Sequence, residues 1–236
     1  VKGEFMTEND LNGITEYFEN KYLNPVPALK YGSAYQLLVA VILSAQCTDE
    51  RVNKVTEKLF TEYGEPEKML RLSPAGLEKY IFSCGLYKTK AAHILSASND
   101  IVQKYGGKVP ETIEELKKLA GVGQKTANVV YSVAFSGNAI AVDTHVFRVA
   151  NRLGLAKADN VSQTEKQLEK ILPENKWSKY HHYLIFHGRE VCTARNPHCE
   201  ECRIKRYCEY YREKSKKTAV LHSKNSIDEN IKNGKL

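Results

Sequence analysis

The spacing of apolar residues along the chain predicts a protein built from α-helices. In residues 9–22, Leu11, Ile14 and Phe18 recur three or four positions apart, which places them on one face of a helix. Residues 35–45 are apolar on every side, so they predict a helix buried inside the protein. No segment alternates apolar and polar residues as a half-buried strand does, and no internal repeat is visible. We therefore expect an all-α fold.

The remaining helices follow from the same periodicity and from the Gly and Pro residues that interrupt it. Thr48 or Asp49 is expected to cap one of them, and Ser73 followed by Pro74 to begin another. The predicted segments are 50–63, 66–72, 74–82, 88–105, 112–119, 126–135, 146–153, 162–172 and 176–188. Residues 213–236 are polar, rich in lysine and without aromatic residues, which predicts disorder or a loosely attached helix. Residues 1–5, ahead of Met6, are interpreted as an expression scar.

A glycine hairpin is predicted between the segments 112–119 and 126–135. Gly121 and Gly123 flank Val122, and two glycines one residue apart allow backbone conformations that other residues avoid. The helix after such a turn presents unpaired N–H groups and the positive end of its dipole, which together can bind an anion such as a DNA phosphate. The same pattern also suits an ordinary turn between two helices, so both interpretations stay open at this point.

Lys125 lies in the first turn of the second hairpin helix. The helix dipole disfavours a positive charge there and favours the neutral amine, which can act as a nucleophile and form a Schiff base. This dipole contributes only about 0.3–1 kcal/mol at exposed sites. Removal from water in a cleft must therefore contribute more. The alternative is a solvated lysine at a helix end. Asp143, just before the predicted helix 146–153, can be the N-cap of that helix.

Four of the six cysteines fall within one short stretch near the C-terminus, at Cys192, Cys199, Cys202 and Cys208. Together with the lack of a secretory signal, this crowding favours metal ligation in a reducing compartment over disulfides. Four thiolates suit either a [4Fe-4S] cluster or a structural zinc ion, but only one Cys-x-x-Cys pair is present, whereas zinc sites usually use two. Nearby cations are expected to offset the sulfur charge or to contact DNA phosphates: Arg195, Arg203, Lys205 and Arg206.

Composition narrows the possible partners. Lys and Arg exceed Asp and Glu by 35 − 28 = +7, which suits a polyanion such as nucleic acid. A hydrophobic content of 42% is enough for a core, in one large domain or two small ones. The longest apolar run, residues 37–43, is far shorter than the roughly 20 residues that cross a membrane, so no membrane partner is expected. Cys47 and Cys84 are expected to be small buried hydrophobic residues.

Three motifs together resemble the endonuclease III family of DNA glycosylases, within the helix-hairpin-helix superfamily that has a Gly/Pro-rich loop and a downstream aspartate. They are Leu-x-Gly-Val-Gly-x-Lys-Thr-Ala at residues 119–127, Val-Asp-Thr-His at residues 142–145, and the spacing of the four cysteines. The similarity runs over about residues 9–212. Ala120 departs from the family, which usually has proline there; the donors that would face a phosphate come later, so we expect little functional loss.

The resemblance implies an architecture of two helical lobes with DNA in the groove between them. One lobe would comprise residues 27–137 with the hairpin, and the other residues 6–26 plus 138–212 with a [4Fe-4S] cluster on the four cysteines. Lys125 and Asp143 would face each other across the groove. The implied partner is double-stranded DNA with a damaged base or an abasic site, bound by a monomer. The protein would act in the cytoplasm at the nucleoid of a prokaryote, or in the nucleus or mitochondrion of a eukaryote.

The resemblance also implies the chemistry. Lys125 matches the nucleophile that attacks C1′, expels the damaged base and leads to strand cleavage by β-elimination, and Asp143 matches the carboxylate that assists it. Gln46 and Leu86 match residues that fill the gap left by a flipped base. Tyr87, Lys88 and Lys90 are further candidates for phosphate contacts. The expected substrate is an oxidised or ring-saturated pyrimidine. The alternatives are a glycosylase of the same fold for a mismatched base, and a non-catalytic DNA-binding module.

Overall fold

A computed structural model describes residues 6–23, 25 and 27–216 of the chain, and this part contains helices but no strand. The all-α prediction is confirmed. Its α-helices are α1 (Glu8–Lys21), α2 (Ala34–Ser44), α3 (Asp49–Tyr63), α4 (Pro66–Met69), α5 (Pro74–Ile81), α6 (Tyr87–Tyr105), α7 (Ile113–Leu116), α8 (Gln124–Ala134), α9 (Thr144–Leu153), α10 (Val161–Ile171) and α11 (Trp177–Glu190). Short 3-10 turns lie at Phe82–Cys84, Glu174–Lys176 and Lys205–Tyr207.

The helix starts follow from the capping residues in the sequence. Thr48 caps α3 by accepting a hydrogen bond from the backbone N–H of Arg51, and Ser73 caps α5 in the same way. The apolar stretch that predicted a buried helix is α2, in which Tyr35 and every residue from Leu37 to Leu43 are buried. α2 packs against α3, α6 and α8 at the centre of a hydrophobic core. It is therefore the element around which that core is built.

The hairpin differs from its predicted helix boundaries. The first helix is only α7, because the backbone N–H groups of Lys118 and Leu119 bond to carbonyls three residues back and tighten the chain into a turn. The second helix, α8, begins at Gln124 rather than at Thr126. Lys125 is therefore its second residue, whereas a start at Thr126 would place it just before the helix.

The chain groups into two compact units. The first, called here the hairpin unit, comprises Val26–Ala141 and Leu172–His182; the second, the cysteine unit, comprises Val1–Pro25, Val142–Ile171 and Tyr183–Leu236. This grouping reflects contacts, so the domain boundaries and the groove given above stay predictions. Residues 209–216 are helical, and the rest of the predicted tail, like the expression scar at residues 1–5, lies outside the described residues.

Aromatic packing joins the first and the last chain segment of the cysteine unit. The ring of Phe18 on α1 stacks on Tyr183 of α11 with centroids 5.5 Å apart, and Tyr22 donates a hydrogen bond to the Glu190 carboxylate at 3.1 Å. Residues near the N-terminus therefore support the helix that leads into the cysteine loop. Within the part of the chain that the structure describes, no helix is both long and apolar enough to cross a membrane.

Candidate active site and cysteine cluster

The two hairpin glycines have different structural roles. Gly121 has φ +78°, and a Cβ atom added there would lie 2.9 Å from Cβ of His93, so both its conformation and its surroundings require glycine. Gly123 is extended and serves as the N-cap of α8, and a Cβ atom added to it would meet no atom within 4 Å. Gly121 therefore shapes the turn, whereas Gly123 leaves open space beside the start of α8.

The start of α8 has the features of an anion-binding site. No side chain caps it, and its first intrahelical bond runs from the N–H of Ala127 to the carbonyl of Gly123 at 2.9 Å. The N–H groups of the preceding residues in the first turn have no partner within the helix. Val122 is buried and anchors the turn, while Gly121 and Gly123 are exposed. Open space, free donors and the helix dipole therefore coincide at one point.

Lys125 projects into solvent from this first turn. Its side chain is exposed, and its Nζ atom has no hydrogen bond or ion pair with any residue that the structure describes. The protein alone therefore does not supply the removal from water that the sequence analysis required for a neutral amine. Any such desolvation has to come from a bound ligand.

A polar network, which the sequence did not predict, ties the hairpin to the segment that follows α8. Lys117 Nζ donates to Gln124 Oε1 at 2.8 Å, and Gln124 Nε2 donates to Asn128 Oδ1 at 2.9 Å. The buried Asn128 then donates to the carbonyl of Ile140 at 3.0 Å. The signal in the sequence was Asn128, a polar residue within a mostly apolar predicted helix. The network fixes the helix that carries Lys125.

Asp143 is the N-cap of α9, as its position predicted. Its Oδ1 atom accepts hydrogen bonds from the backbone N–H groups of His145 and Val146, each at 2.8 Å. The side chain is half-buried, and among the described residues its other oxygen, Oδ2, has no hydrogen-bond partner. One oxygen is thus used for capping, while the other remains available.

Gln46 and Leu86 both have left-handed backbones in the hairpin unit, with φ of +54° and +46°. Among the described residues, only Ser136 is a third non-glycine with positive φ. Gln46 follows the C-cap of α2, where glycine is usual, and Leu86 begins α6 with 61% of its surface exposed. Such conformations cost free energy and are concentrated at functional positions. The backbones of Gln46 and Leu86 therefore indicate functional positions without any reference to a known family.

The loops that carry Gln46 and Leu86 contain the two remaining cysteines. Cys84 is buried, and burial followed by the neighbouring Cys47 raises the pKa of its thiol to about 11. Cys47 is half-buried and packs against the core. The expectation of small hydrophobic residues is confirmed for Cys84. Cys47 is packed in the same way but is more exposed.

The four C-terminal cysteines line one pocket in the cysteine unit. Burial, followed by the neighbouring thiols, raises the pKa of Cys202, and it raises the pKa of Cys208 to about 11. Without an added positive charge these groups are neutral thiols, and a metal centre would supply the charge that makes them ligands. Among the described residues, no three potential ligands are arranged around a single metal ion. Four cysteine side chains in one pocket are a donor set that suits an iron–sulfur cluster or a structural zinc ion.

Two side chains outside the candidates named above contact the sulfur atoms of these cysteines. Arg152 Nη1 lies 3.5 Å from Sγ of Cys192, and the guanidinium also donates to the carbonyls of Thr193 and Ala194 at 2.7 and 2.9 Å. His187 Nε2 lies 3.8 Å from Sγ of Cys202, and burial lowers the pKa of His187 to about 4. Arg152 is far from the loop in sequence, and no local pattern pointed to it.

The four cationic residues that the sequence indicated in the cysteine loop divide into two groups. Lys205 donates to the carbonyl of Glu200 at 2.8 Å, and Arg206 lies over the ring of Tyr207. Arg195 and Arg203 are exposed and have no ion pair among the described residues. The last two are therefore free to contact an anionic ligand, while Arg152 carries the contact with the cysteine sulfur.

Comparison with known proteins gives the class to which these features belong. Residues 39–174 match the model of the HhH-GPD superfamily of base excision DNA repair proteins, and residues 192–208 match the iron-sulfur binding domain of endonuclease III. The protein is thus a base excision repair enzyme with an iron–sulfur domain.

Individual relatives agree with this class. Endonuclease III of Rickettsia conorii is 49% identical over 85% of this chain and 96% of its own length. Endonuclease III of Bacillus subtilis is 48% identical over 81% of this chain and 88% of its own. A trapped endonuclease III–DNA covalent intermediate has a TM-score of 0.84 at 42% identity, covering 89% of this chain and all of that one. The chain belongs to the endonuclease III family, whose members are DNA glycosylases and AP lyases.

Membership of this family explains the cysteine pocket, because the family carries a [4Fe-4S] cluster. The structural similarity also includes a glycosylase with another name. A thermostable thymine-DNA glycosylase has a TM-score of 0.78 at 26% identity, covering 87% of this chain and 98% of that one. The predictions of the fold class, the cofactor and the enzyme class are therefore confirmed.

Proposed function

We propose that the protein removes oxidised or ring-saturated pyrimidines from double-stranded DNA through a Schiff base on Lys125, and then cuts the strand. The observation that carries this proposal is the position of Lys125, an exposed amine with no bound partner in the first turn of an uncapped helix. Its side chain is exposed and has no ion pair among the described residues, so the amine is accessible to a bound nucleotide.

The reaction requires Lys125 to act as the nucleophile. Its Nζ attacks C1′ of the damaged nucleotide, the bond between C1′ and the base breaks, and the base leaves with the bonding electron pair and acquires a proton. The remaining sugar opens to an iminium linkage with the lysine. Loss of a proton from C2′ then expels the 3′ phosphate by β-elimination, and water finally releases the enzyme.

Asp143 would assist through its available oxygen. With Oδ1 engaged in capping α9, the carboxylate is held in one orientation, and Oδ2 can stabilise positive charge on the sugar or accept a proton from the amine. Capping and chemistry thus use different oxygens of the same side chain. The carboxylate acts by charge and position rather than as a second nucleophile.

Bound DNA would supply the desolvation that Lys125 lacks in the protein alone. An extruded nucleotide covers the exposed amine, and exclusion of water favours its neutral form. In this proposal the lysine becomes reactive only when a nucleotide is present, which limits its reaction with free aldehydes.

The hairpin and the two strained loop residues would hold the DNA. The free N–H groups around Gly123 suit a phosphate and carry no base preference. Gln46 offers an amide that can bond an unpaired base, and Leu86 offers an exposed apolar side chain that can separate stacked bases. The cluster would keep the loop ordered, so that Arg195 and Arg203 can contact further phosphates.

One relative supports the proposal, and another supports the alternative substrate. The solved endonuclease III relative is described as a covalent DNA intermediate, which requires a protein nucleophile in that protein. The similarity to a thymine-DNA glycosylase favours the second candidate, a mismatched base as the substrate, because the same fold serves it. We propose a monomer that acts on the chromosome in the bacterial cytoplasm, as its relatives are bacterial proteins.

A panel of duplexes, each with one lesion, tests the substrate class. The panel contains a ring-saturated thymine, an oxidised cytosine, a thymine opposite guanine, an adenine opposite an oxidised guanine, and an undamaged duplex as the control. We expect base release and strand cutting on the first two only. Preferred release from a mismatch would favour the second candidate, and binding without base release would support a non-catalytic module.

A further inference from the structure

Lys90 is a buried lysine that the sequence analysis had placed among possible phosphate contacts. Only 4% of its surface is exposed, so it cannot contact DNA directly. Its Nζ donates to the carbonyl of Leu43 at 2.9 Å and to the carbonyl of Cys84 at 2.6 Å. Burial lowers the pKa of Lys90, and the two carbonyls compensate part of the lost hydration.

The two carbonyls belong to the loops that carry the strained residues. Leu43 lies in the last turn of α2, three residues before Gln46, and its carbonyl is at the negative end of the helix dipole. Cys84 lies two residues before Leu86. Lys90 therefore joins two loops that are about forty residues apart in the sequence.

Both loops would relax if this link were absent. A glutamine after a helix C-cap and a leucine at a helix start have no intrinsic preference for a left-handed backbone. Surrounding contacts must therefore hold these conformations. The ammonium group of Lys90 bonds to both loops at once, beside the direct contact between Cys84 and Cys47.

We propose that Lys90 is a positioning residue for base extrusion, which holds the loops of Gln46 and Leu86 so that both side chains enter the DNA duplex together. The inference rests on the proposed function, because it concerns how that site opens a duplex. It predicts that Lys90 matters only when a base has to be extruded and its partner left unpaired. The attack of Lys125 on an abasic sugar in a single strand does not need it.

The test compares two substrates for the variant Lys90→Met, which keeps the length of the side chain without its donors. The first is a duplex with a ring-saturated thymine, scored for base release in a single turnover. The second is a single-stranded abasic oligonucleotide, scored for Schiff-base trapping by borohydride. We expect the ratio of the two rates to fall at least about tenfold. Because single-strand trapping counts only folded, active enzyme, the ratio is independent of losses through misfolding.

Three further comparisons sharpen the test. Lys104→Met removes a lysine from the exposed end of the same helix, where it pairs with Asp100, and should leave the ratio within about twofold of wild type. Lys90→Arg keeps the charge and the donors, and its ratio should lie between those of wild type and Lys90→Met. In a background with Gln46→Ala and Leu86→Ala, Lys90→Met should lower the ratio by less than about twofold, because the groups it positions are absent.

A fluorescent base placed opposite the lesion gives a direct readout. In wild type its fluorescence should rise as the partner base is unstacked, and in Lys90→Met this rise should be lost. Equal losses on both substrates, or an unchanged ratio, would overturn the inference and leave Lys90 with a structural role at most. Inactivity of the wild-type protein on both substrates would instead overturn the proposed function itself.

Discussion

Arg152 Nη1 lies 3.5 Å from Sγ of Cys192, and the same guanidinium donates to the carbonyls of the next two residues. Arg152 also belongs to α9, the helix that Asp143 caps. The cysteine loop and the carboxylate are thus attached to one helix. Damage to the cysteine loop should therefore also disturb the position of Asp143.

Replacing Arg152 by glutamine should loosen the cysteine loop. The loss of charged hydrogen bonds to two carbonyls should destabilise the protein by about 2–3 kcal/mol, and the visible absorbance of the cluster should bleach faster in the presence of a chelator. Arg195→Gln removes the same charge from the exposed part of the loop and should leave both measurements near wild type. Equal bleaching of the two variants would show that charge alone protects the cluster.

The two hairpin glycines should respond differently to alanine. Gly121→Ala should cost about 1–2 kcal/mol of stability for its left-handed backbone, and more from the contact with His93. Gly123→Ala should leave stability near wild type, since its Cβ meets open space, but should weaken binding to damaged and undamaged duplexes alike. Thermal unfolding and fluorescence anisotropy measure the two effects. Weaker binding of damaged DNA only would mean that the hairpin reads the lesion.

Asp143→Asn should separate capping from chemistry. Asparagine caps helices as well as aspartate, so the stability should change by less than about 1 kcal/mol. Duplex binding should also persist, whereas base release and Schiff-base trapping should slow because the charge is lost. Asp143→Ala is the comparison, and it should lose about 1 kcal/mol through the missing cap. An unchanged rate in Asp143→Asn would remove the carboxylate from the mechanism.

Stability should fall in mild acid because of His182. Burial, followed by the nearby His181, lowers the pKa of His182 to about 3, whereas an unfolded histidine titrates near 6.5. Between these values the unfolded state binds the extra proton, so acid favours unfolding. At pH 5 this amounts to about 2 kcal/mol relative to neutral pH. Denaturant unfolding of His182→Gln should show a weaker loss from pH 7 to 5, and an identical loss would contradict the assignment.

The fold was predictable wherever local patterns determine it. Thr48 caps α3 and the apolar stretch of α2 is buried, because capping and periodicity are local properties. The predicted boundary of the first hairpin helix was wrong, because Leu119 continues the apolar period although the chain at Lys118 and Leu119 already forms a turn. Periodicity cannot distinguish a helix end from a tight turn that keeps the same face buried.

The candidate site was predictable from motifs and not from contacts. Lys125, Asp143 and the four cysteines stand in recognisable patterns. Arg152 and Lys90 do not. Arg152 contacts Thr193, 41 residues away, and Lys90 links the nearby Cys84 to Leu43, 47 residues away. The interpretation of Lys90 as a possible phosphate contact was also wrong. The sequence does not distinguish a buried lysine from an exposed one, and the buried Lys90 cannot contact a phosphate.

The bifunctional mechanism depends on Lys125, and the most direct measurement is borohydride trapping combined with base release on one lesion duplex. We expect Lys125→Gln to lose both activities while keeping its fold and its affinity for the duplex, because the nucleophile is removed and the hairpin donors remain. Lys118→Gln, an exposed lysine of the same hairpin that pairs with Glu115, should keep both. Base release by Lys125→Gln at the wild-type rate would instead identify water as the nucleophile and contradict the bifunctional mechanism.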